Sequence, residues 1–186
     1  VPVFNAVKLY AREFPLTSKP GLLLVGPPGT GKTHLAVAAL RMLMARGFDG
    51  LFFDYQNLLE RVQRSWDPVA GAGDRDAYQQ ALHSEILLLD DLGARRSLEW
   101  AEDTVNAIVT HRCNHQRALI ATTNLGDPNA GYTAIAGVTP SGLQRQGKTI
   151  AEVIGERARS RLYEMCRVIR MPDVEDFRLR RRQTGN

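Results

Sequence analysis

The 186-residue sequence predicts an α/β domain: a parallel sheet with helices on both faces. Three observations predict it. Continuous apolar runs at Leu22-Leu23-Leu24-Val25, Ile86-Leu87-Leu88-Leu89 and Ala118-Leu119-Ile120-Ala121 suit strands buried on both faces, not strands with one wet face. Segments with helical spacing of apolar residues alternate with these runs. The polar motifs follow the strands directly, and the carboxyl ends of strands are where open parallel sheets bind ligands.

The elements follow in order. Val3 to Phe14 have an amphipathic helix pattern, with Phe4, Val7, Tyr10, Ala11 and Phe14 on one side. Pro15 to Gly21 form a linker. The first strand is Leu22–Val25, and Thr33 to Arg46 carry Leu35, Ala36, Ala39, Leu40 and Leu43 at helical spacing, stopped near Gly47. Gly50-Leu51-Phe52-Phe53 read as a second strand. Gln56 to Trp66 read as a helix with Leu58, Leu59 and Val62 inward. Asp74 is expected to cap a short helix running to Leu82. Glu85 to Asp91 form the third strand and its acidic end. Ser97 is expected to cap a long helix to Asn114, with Glu99 and Glu102 favouring its positive start. Ala118–Thr122 give the fourth strand, residues 126–148 a Gly/Pro/Thr-rich excursion, Thr149–Met165 the last helix, and Arg167–Met171 a fifth strand ended by Pro172.

Composition sets the class. Hydrophobic residues are 44% and charged residues 24%, ordinary for a soluble globular protein with a real core. No apolar run approaches the roughly 18 residues of a membrane span, and no signal peptide is evident. The two cysteines, Cys113 and Cys166, suggest a reducing compartment without a disulfide framework, so the expected location is cytoplasmic. The chain opens at Val1 without Met, which suggests a trimmed protein or a fragment from which an N-terminal partner-binding domain could have been removed. His111, Cys113 and His115 have the elements of a metal set, but only the two histidines share a helix face, and an ordinary helix surface is the preferred reading. Net charge is +4, and the four arginines of the tail, Arg178, Arg180, Arg181 and Arg182, account for all of it. Overall charge is therefore a weak argument for nucleic acid.

Four motifs carry chemistry. Gly26-Pro27-Pro28-Gly29-Thr30-Gly31-Lys32-Thr33 fits the phosphate-binding loop G-x-x-x-x-G-K-[ST] and stands between a strand and a helix, as that chemistry requires. Its glycines permit positive φ and close approach to a polyphosphate. Its N–H groups and the helix start attract anions. Lys32 is expected to reach the β- and γ-phosphates, and the Thr33 hydroxyl to ligate Mg²⁺. The loop and the following His34 are the expected contacts for ATP or ADP. The second motif is Ile86-Leu87-Leu88-Leu89-Asp90-Asp91, a strand ending in acid: Asp90 is placed to hold Mg²⁺ and Asp91 to act as general base on the attacking water. In the third, Asn124 at the tip of the fourth strand can reach the γ-phosphate or that water, or can merely start a turn. The intervening strand–helix unit suits nucleotidases in which an extra strand lies between the two motif strands. In the fourth, Gly155-Glu156-Arg157-Ala158-Arg159-Ser160-Arg161-Leu162, Arg157 and Arg161 share a helix face. They can serve as a trans-acting finger, or as surface charge paired with Glu152, Glu156 and Glu164.

Together, GPPGTGKT, ILLLDDLG, TTNL and GERARSRL resemble AAA+ ATPases, and more narrowly the DnaC/DnaI helicase loaders and the related IstB transposition ATPases. Glu99-Trp100-Ala101, Arg112, Glu164-Met165-Cys166 and Asp176-Phe177-Arg178 add to the likeness, which extends from about Phe4 to Arg178. The resemblance implies a P-loop NTPase of AAA+ type, with a five-stranded parallel sheet sandwiched by helices and a missing or minimal lid domain. It implies a core over residues 1–178, including an N-terminal helix and linker over 1–20, and a basic tail over 179–186. It further implies ATP hydrolysis that is weak in the isolated domain, Asn124 as sensor 1, Arg161 as the arginine finger joining a homo-oligomer and Arg157 as its support. Residues 56–82 resemble an insertion that contributes to single-stranded DNA contact. There Arg61 and Arg64 are the cations and Trp66 is either a stacking platform or core. The implied partner is a replicative DNA helicase, or a transposase in the IstB alternative; a nucleotide-dependent assembly scaffold with little turnover is the alternative of another class. The 126–148 segment is longer than that family leads one to expect.

Overall fold

The computed structural model describes residues 2–66, 72–94, 99–128, 131, 135–138 and 144–172. Ser97, Asp176-Phe177-Arg178 and the arginine tail lie outside them. In chain order the elements are α1 (Pro2–Glu13), β1 (Gly21–Val25), α2 (Lys32–Met44), β2 (Gly50–Asp54), α3 (Tyr55–Arg64), α4 (Ala72–His83), β3 (Ile86–Asp90), α5 (Glu99–Asn114), β4 (Ala118–Thr123), β5 (Ile135–Val138), β6 (Gln144–Gln146), α6 (Ile150–Met165) and β7 (Cys166–Arg170).

The main sheet has strand order β2-β3-β4-β1-β7, and every pairing is parallel. β4 lies between β1 and β3, so the strand inserted between the two motif strands is where the motif spacing puts it. Strand alternation divides the core in two. Leu22, Leu24, Ile86, Leu88, Ala118 and Ile120 face α1 and α2. Leu23, Leu87, Leu89, Leu119 and Ala121 face the α3, α4, α5 and α6 side. β1 and β4 are buried along their whole length, which is why Leu22–Val25 and Ala118–Ala121 are continuous apolar runs. β2 is an edge strand and half-exposed, with Phe52 46% accessible.

Several local expectations change. Phe4 is 55% exposed, while Val7, Tyr10, Ala11 and Phe14 form the buried stripe of α1. α4 begins at Ala72, two residues before Asp74, the expected cap. The cap in this region is Asp54, whose carboxylate accepts from Asn57 N–H at 3.0 Å and starts α3 directly from the end of β2. The 126–148 excursion contains a two-stranded antiparallel pair, β5 and β6. α6 opens on a capping box between Thr149 and Glu152 and breaks at Gly155, at φ 82° and ψ 153°. The positive φ is what calls for glycine there; a Cβ would meet the end of the Glu102 side chain of α5, 2.5 Å from Oε1.

Arg112 illustrates how the base of the sheet is tied. It is fully buried, and its guanidinium donates to the carbonyls of Ala81 at 2.9 Å, Glu85 at 3.2 Å and Ala118 at 2.5 Å, and to Ser84 Oγ at 3.1 Å. It joins the end of α4 to the starts of β3 and β4, where helix-terminal carbonyls welcome a cation. Burial pushes its pKa down to about 9.

Candidate nucleotide-binding site

The site is built where β1, β3 and β4 end together. β1 runs into the glycine loop, and α2 starts at Lys32 with Gly31 as its N-cap at φ 89° and no side-chain cap. The first N–H groups of α2 thus have no hydroxyl or carboxylate from their own cap residue, the condition that favours an anion there. A Cβ at Gly31 would meet nothing within 4 Å, so the loop opens onto space. Gly29 also takes a left-handed φ of 73°. Gly26, at φ 158°, is close to extended, and its requirement is room: a Cβ there would lie 2.6 Å from Met171 Cβ.

Lys32 is 7% exposed and lies along its own loop, donating to the carbonyls of Gly26 at 2.9 Å and Pro27 at 2.7 Å. Thr30 Oγ1 donates to the Pro27 carbonyl at 2.8 Å. Thr33 and His34 are exposed on the first turn of α2.

The tips of β3 and β4 are laced together. The Thr122 hydroxyl donates to Asp90 Oδ1 at 2.6 Å and accepts from Asp91 N–H at 2.9 Å. Asp91 takes a left-handed φ of 55°, which turns its carboxylate away from the line of the strand. Asn124 Nδ2 donates to Asp91 Oδ1 at 2.8 Å, and the Asn124 Oδ1 is buried without a hydrogen-bond partner. Thr123 completes the bracket: its hydroxyl donates to the Leu92 carbonyl at 2.8 Å, and its carbonyl accepts from Gly26 N–H at 3.2 Å. One strand tip therefore touches both the acidic motif and the phosphate loop. In the motifs Asp90, Asp91 and Asn124 carry expected roles and Thr122 carries none. Its signal was available, a hydroxyl two residues before the amide on an otherwise apolar strand.

The α6 arginines separate into three states. Arg157 is exposed and has no ion-pair or hydrogen-bond partner among the described residues. Arg161 pairs with Glu164 at 2.8 Å, its side chain 42% exposed. Arg159, which the sequence reading passed over, makes a two-pronged contact with Asp127: Nε to Oδ2 at 2.6 Å and a terminal nitrogen to Oδ1 at 3.1 Å. Asp127 is buried, and the Arg159 guanidinium also lies over the Tyr163 ring at 5.1 Å. Burial and the neighbouring Asp127 push the Tyr163 pKa up.

On the insertion, Trp66 is 59% exposed and meets the Trp100 ring edge to face at 5.3 Å, so it is not core. Arg61 lies over Phe53, and Arg64 is 3.8 Å from Glu60. His111 stacks on His115 at 4.1 Å, but among the described residues no group of His, Cys, Asp or Glu is arranged to hold a metal ion. Nor, among those residues, is any helix long and apolar enough to cross a membrane.

The donor set fits a magnesium nucleotide. The loop is uncapped and open at Gly31, the Asn124 amide oxygen is an orphan, and Thr122 takes only one oxygen of Asp90.

Comparison with known proteins agrees. Residues 9–134 match the family model of the IstB-like ATP binding protein. A crystal structure of the DnaC helicase loader aligns at 29% identity and TM-score 0.71, covering 90% of this chain and 87% of that one. A structure of DnaI aligns at 19% identity and TM-score 0.66, with 93% and 81% covered. The replication initiator DnaA bound to AMPPCP and single-stranded DNA aligns at 16% identity and TM-score 0.67, covering 94% of this chain but 46% of that one; these last two speak to fold alone. A search of curated proteins returns no match. Motif order, strand order and family model converge, and the chain belongs to the IstB-like ATP binding proteins, sharing the AAA+ fold of the DnaC helicase loader.

Proposed function

We propose that this domain binds and hydrolyses ATP with Mg²⁺ as the ATPase of a DnaC/DnaI-like helicase loader, acting on single-stranded DNA as an oligomer. The observation that carries the catalytic part is the laced β3–β4 tip. Asp91 is aimed by its left-handed turn and held through Oδ1 by Asn124, while Asp90 is held one position away by Thr122. Two adjacent carboxylates are thereby fixed for different tasks, one for metal and one for water.

The geometry supports the following roles. Residues 26–34 hold the nucleotide, the loop amides and α2 start receiving its phosphates. Lys32 exchanges its two loop carbonyls for phosphate oxygens, a gain because a charge-assisted bond to an anion exceeds one to a neutral carbonyl. Thr33 and Asp90 would hold the metal, which would supply positive charge against the phosphates. Asp91 accepts the proton of the attacking water. Arg161, supported by Arg157, serves the site of a neighbouring copy.

DNA contact is assigned to the outer side of α3. The Trp66 and Trp100 pair offers ring faces for bases, and Arg61 and Arg64 offer charge for the backbone. The IstB family match supports a second reading, an ATPase helper of DNA transposition with a transposase as partner.

Two experiments test these readings. Lys32→Ala should weaken fluorescent-ATP binding by at least about tenfold, since each charged bond is worth roughly 1.5–3 kcal/mol; unchanged affinity would remove the nucleotide assignment. Capture of the replicative helicase, or instead of the transposase, by the full-length protein separates loader from transposition helper.

A further inference from the structure

The edge of the main sheet at β2 carries a groove of about 620 Å³ that no role above uses. Met44, Gly50 and Leu51 make its apolar floor, and Asp49 and Asp76 are its acidic groups. It lies at the start of β2, at the opposite end of the strands from the phosphate loop. Met44 is 48% exposed there, although it ends a helix otherwise packed into the core. Glu85 adds a third carboxylate beside it, accepting Asp49 N–H at 2.8 Å. The nearby cation, Arg117, is committed to the carbonyls of His83 and Ser84. Among the described residues β2 pairs only with β3, so its outer edge is open to another extended segment.

An open strand edge beside an apolar floor with acidic flanks selects an extended segment that interleaves apolar and cationic side chains. The sequence holds one: Phe177-Arg178-Leu179-Arg180-Arg181-Arg182. In an extended segment Phe177 and Leu179 fall on one face, and Arg178, Arg180 and Arg182 on the other.

Reach decides whose segment it is. Met171 N–H bonds the Val25 carbonyl, so the chain leaves the sheet at the carboxyl end of β7, the edge opposite β2. Four strand spacings of about 4.8 Å separate the two edges, and a five-residue strand adds roughly 16 Å between the two ends of the sheet. The straight line is therefore about 25 Å even through the core, by those spacings. Five residues from Pro172 to Phe177 extend at most about 18 Å. A chain's own Phe177 falls short of its own groove.

We infer that the groove at the β2 edge is a docking site for the Phe177–Arg182 segment of a second copy of this chain. The contact is heterologous, joining the tail of one copy to the groove of the next, so it propagates into a ring or a helical row. It uses neither the nucleotide nor the α6 arginines, and its test is separate from theirs.

The test uses the full chain without nucleotide. One preparation carries Gln80→Cys at the exposed rim of the groove and another carries Gln183→Cys, just past the docking segment; the native Cys113 and Cys166 are buried. A short bismaleimide linker applied to the mixture should give a covalent dimer well above a control in which Arg12→Cys, on the exposed side of α1, replaces Gln80→Cys. Adding Asp76→Lys to the groove chain should lower the yield by about threefold, the scale of a surface ion pair. Phe177→Ser in the tail chain should lower it further. Dimer at the control level overturns the inference, as does a yield indifferent to both substitutions.

Discussion

The β3–β4 tip and the α6 arginine row are both polar, and both carry residues assigned to catalysis, yet they are built differently. At the tip every assigned side chain is held: Asp90 by Thr122, Asp91 by its backbone turn and Asn124, and Asn124 through Asp91. In the row, the arginine with the best geometry, Arg159, is the one the proposed chemistry does not use, while Arg157 and Arg161 are solvent-facing. The proposed roles account for the difference. Groups that act on a nucleotide in their own chain gain from being fixed beforehand, because no reorganisation is then needed during reaction. Groups that act on a neighbour's nucleotide must stay able to leave their own surface. An exposed ion pair such as Arg161–Glu164 is weak enough to exchange for a phosphate.

The sharpest way to break this comparison is to remove the arginine. Arg161→Ala should bind ATP normally and lose about 10³–10⁵ in turnover, the range seen where an arginine stabilises phosphoryl transfer. Mixing it with Asp91→Asn should restore part of the rate, because some interfaces then pair an intact Asp91 with an intact Arg161. Wild-type specific activity should also rise with protein concentration. A phosphate-release assay on the variants, the mixture and a dilution series checks all three; no recovery despite demonstrated co-assembly makes Arg161 a surface charge.

Next in size is the base. Asp91→Asn should retain nucleotide binding and lose about 10²–10⁴ in rate, the usual contribution of a positioned base. The fold should hold, since Asn tolerates the left-handed φ that Asp91 adopts. Turnover at the wild-type rate would move the role to Asn124 or to a residue of another copy.

A third substitution exchanges function for stability. Arg159→Ala leaves Asp127 buried without its cation and should cost about 3 kcal/mol, read by urea unfolding, as for other broken buried pairs. ATP affinity per folded molecule should not change. If Arg159→Ala instead left stability intact and stopped turnover, the row would have to be reassigned with Arg159 as the acting residue.

The smallest expected effect is at Glu164. Glu164→Gln removes the carboxylate beside Arg161 and should leave thermal stability within error, as exposed pairs usually do. Turnover at low protein concentration should rise slightly, by less than about twofold. A large fall in rate would mean that Glu164 holds Arg161 in its working position.

Much of the site was legible because its signals are local. β1, β3 and β4 are covered by helices on both faces, so their sequences had to be unbroken apolar runs, and the polar groups had to wait for the strand ends. The same logic failed at exposed ends of elements. Phe4 shares the apolar side of its helix pattern yet is exposed, and Trp66, for which the sequence left core and stacking platform open, is exposed as well. Asp74 suited a helix cap, yet α4 starts before it.

The sequence by itself determined the helices and the strands of the main sheet in chain order, the phosphate loop, and the identity of the acids and the amide at the strand ends. Each of these depends on contacts within a few residues or on the period of one element. Only the tertiary structure decided among the three arginines of α6. Spacing puts Arg157 and Arg161 on one face and Arg159 on another, but only the packing shows what Arg159 meets: Asp127, buried just past β4 and 32 residues away in the chain. A carboxylate taken out of water must have a cation, and the packing of α6 against the end of β4 brings it Arg159 and leaves the other two to the surface.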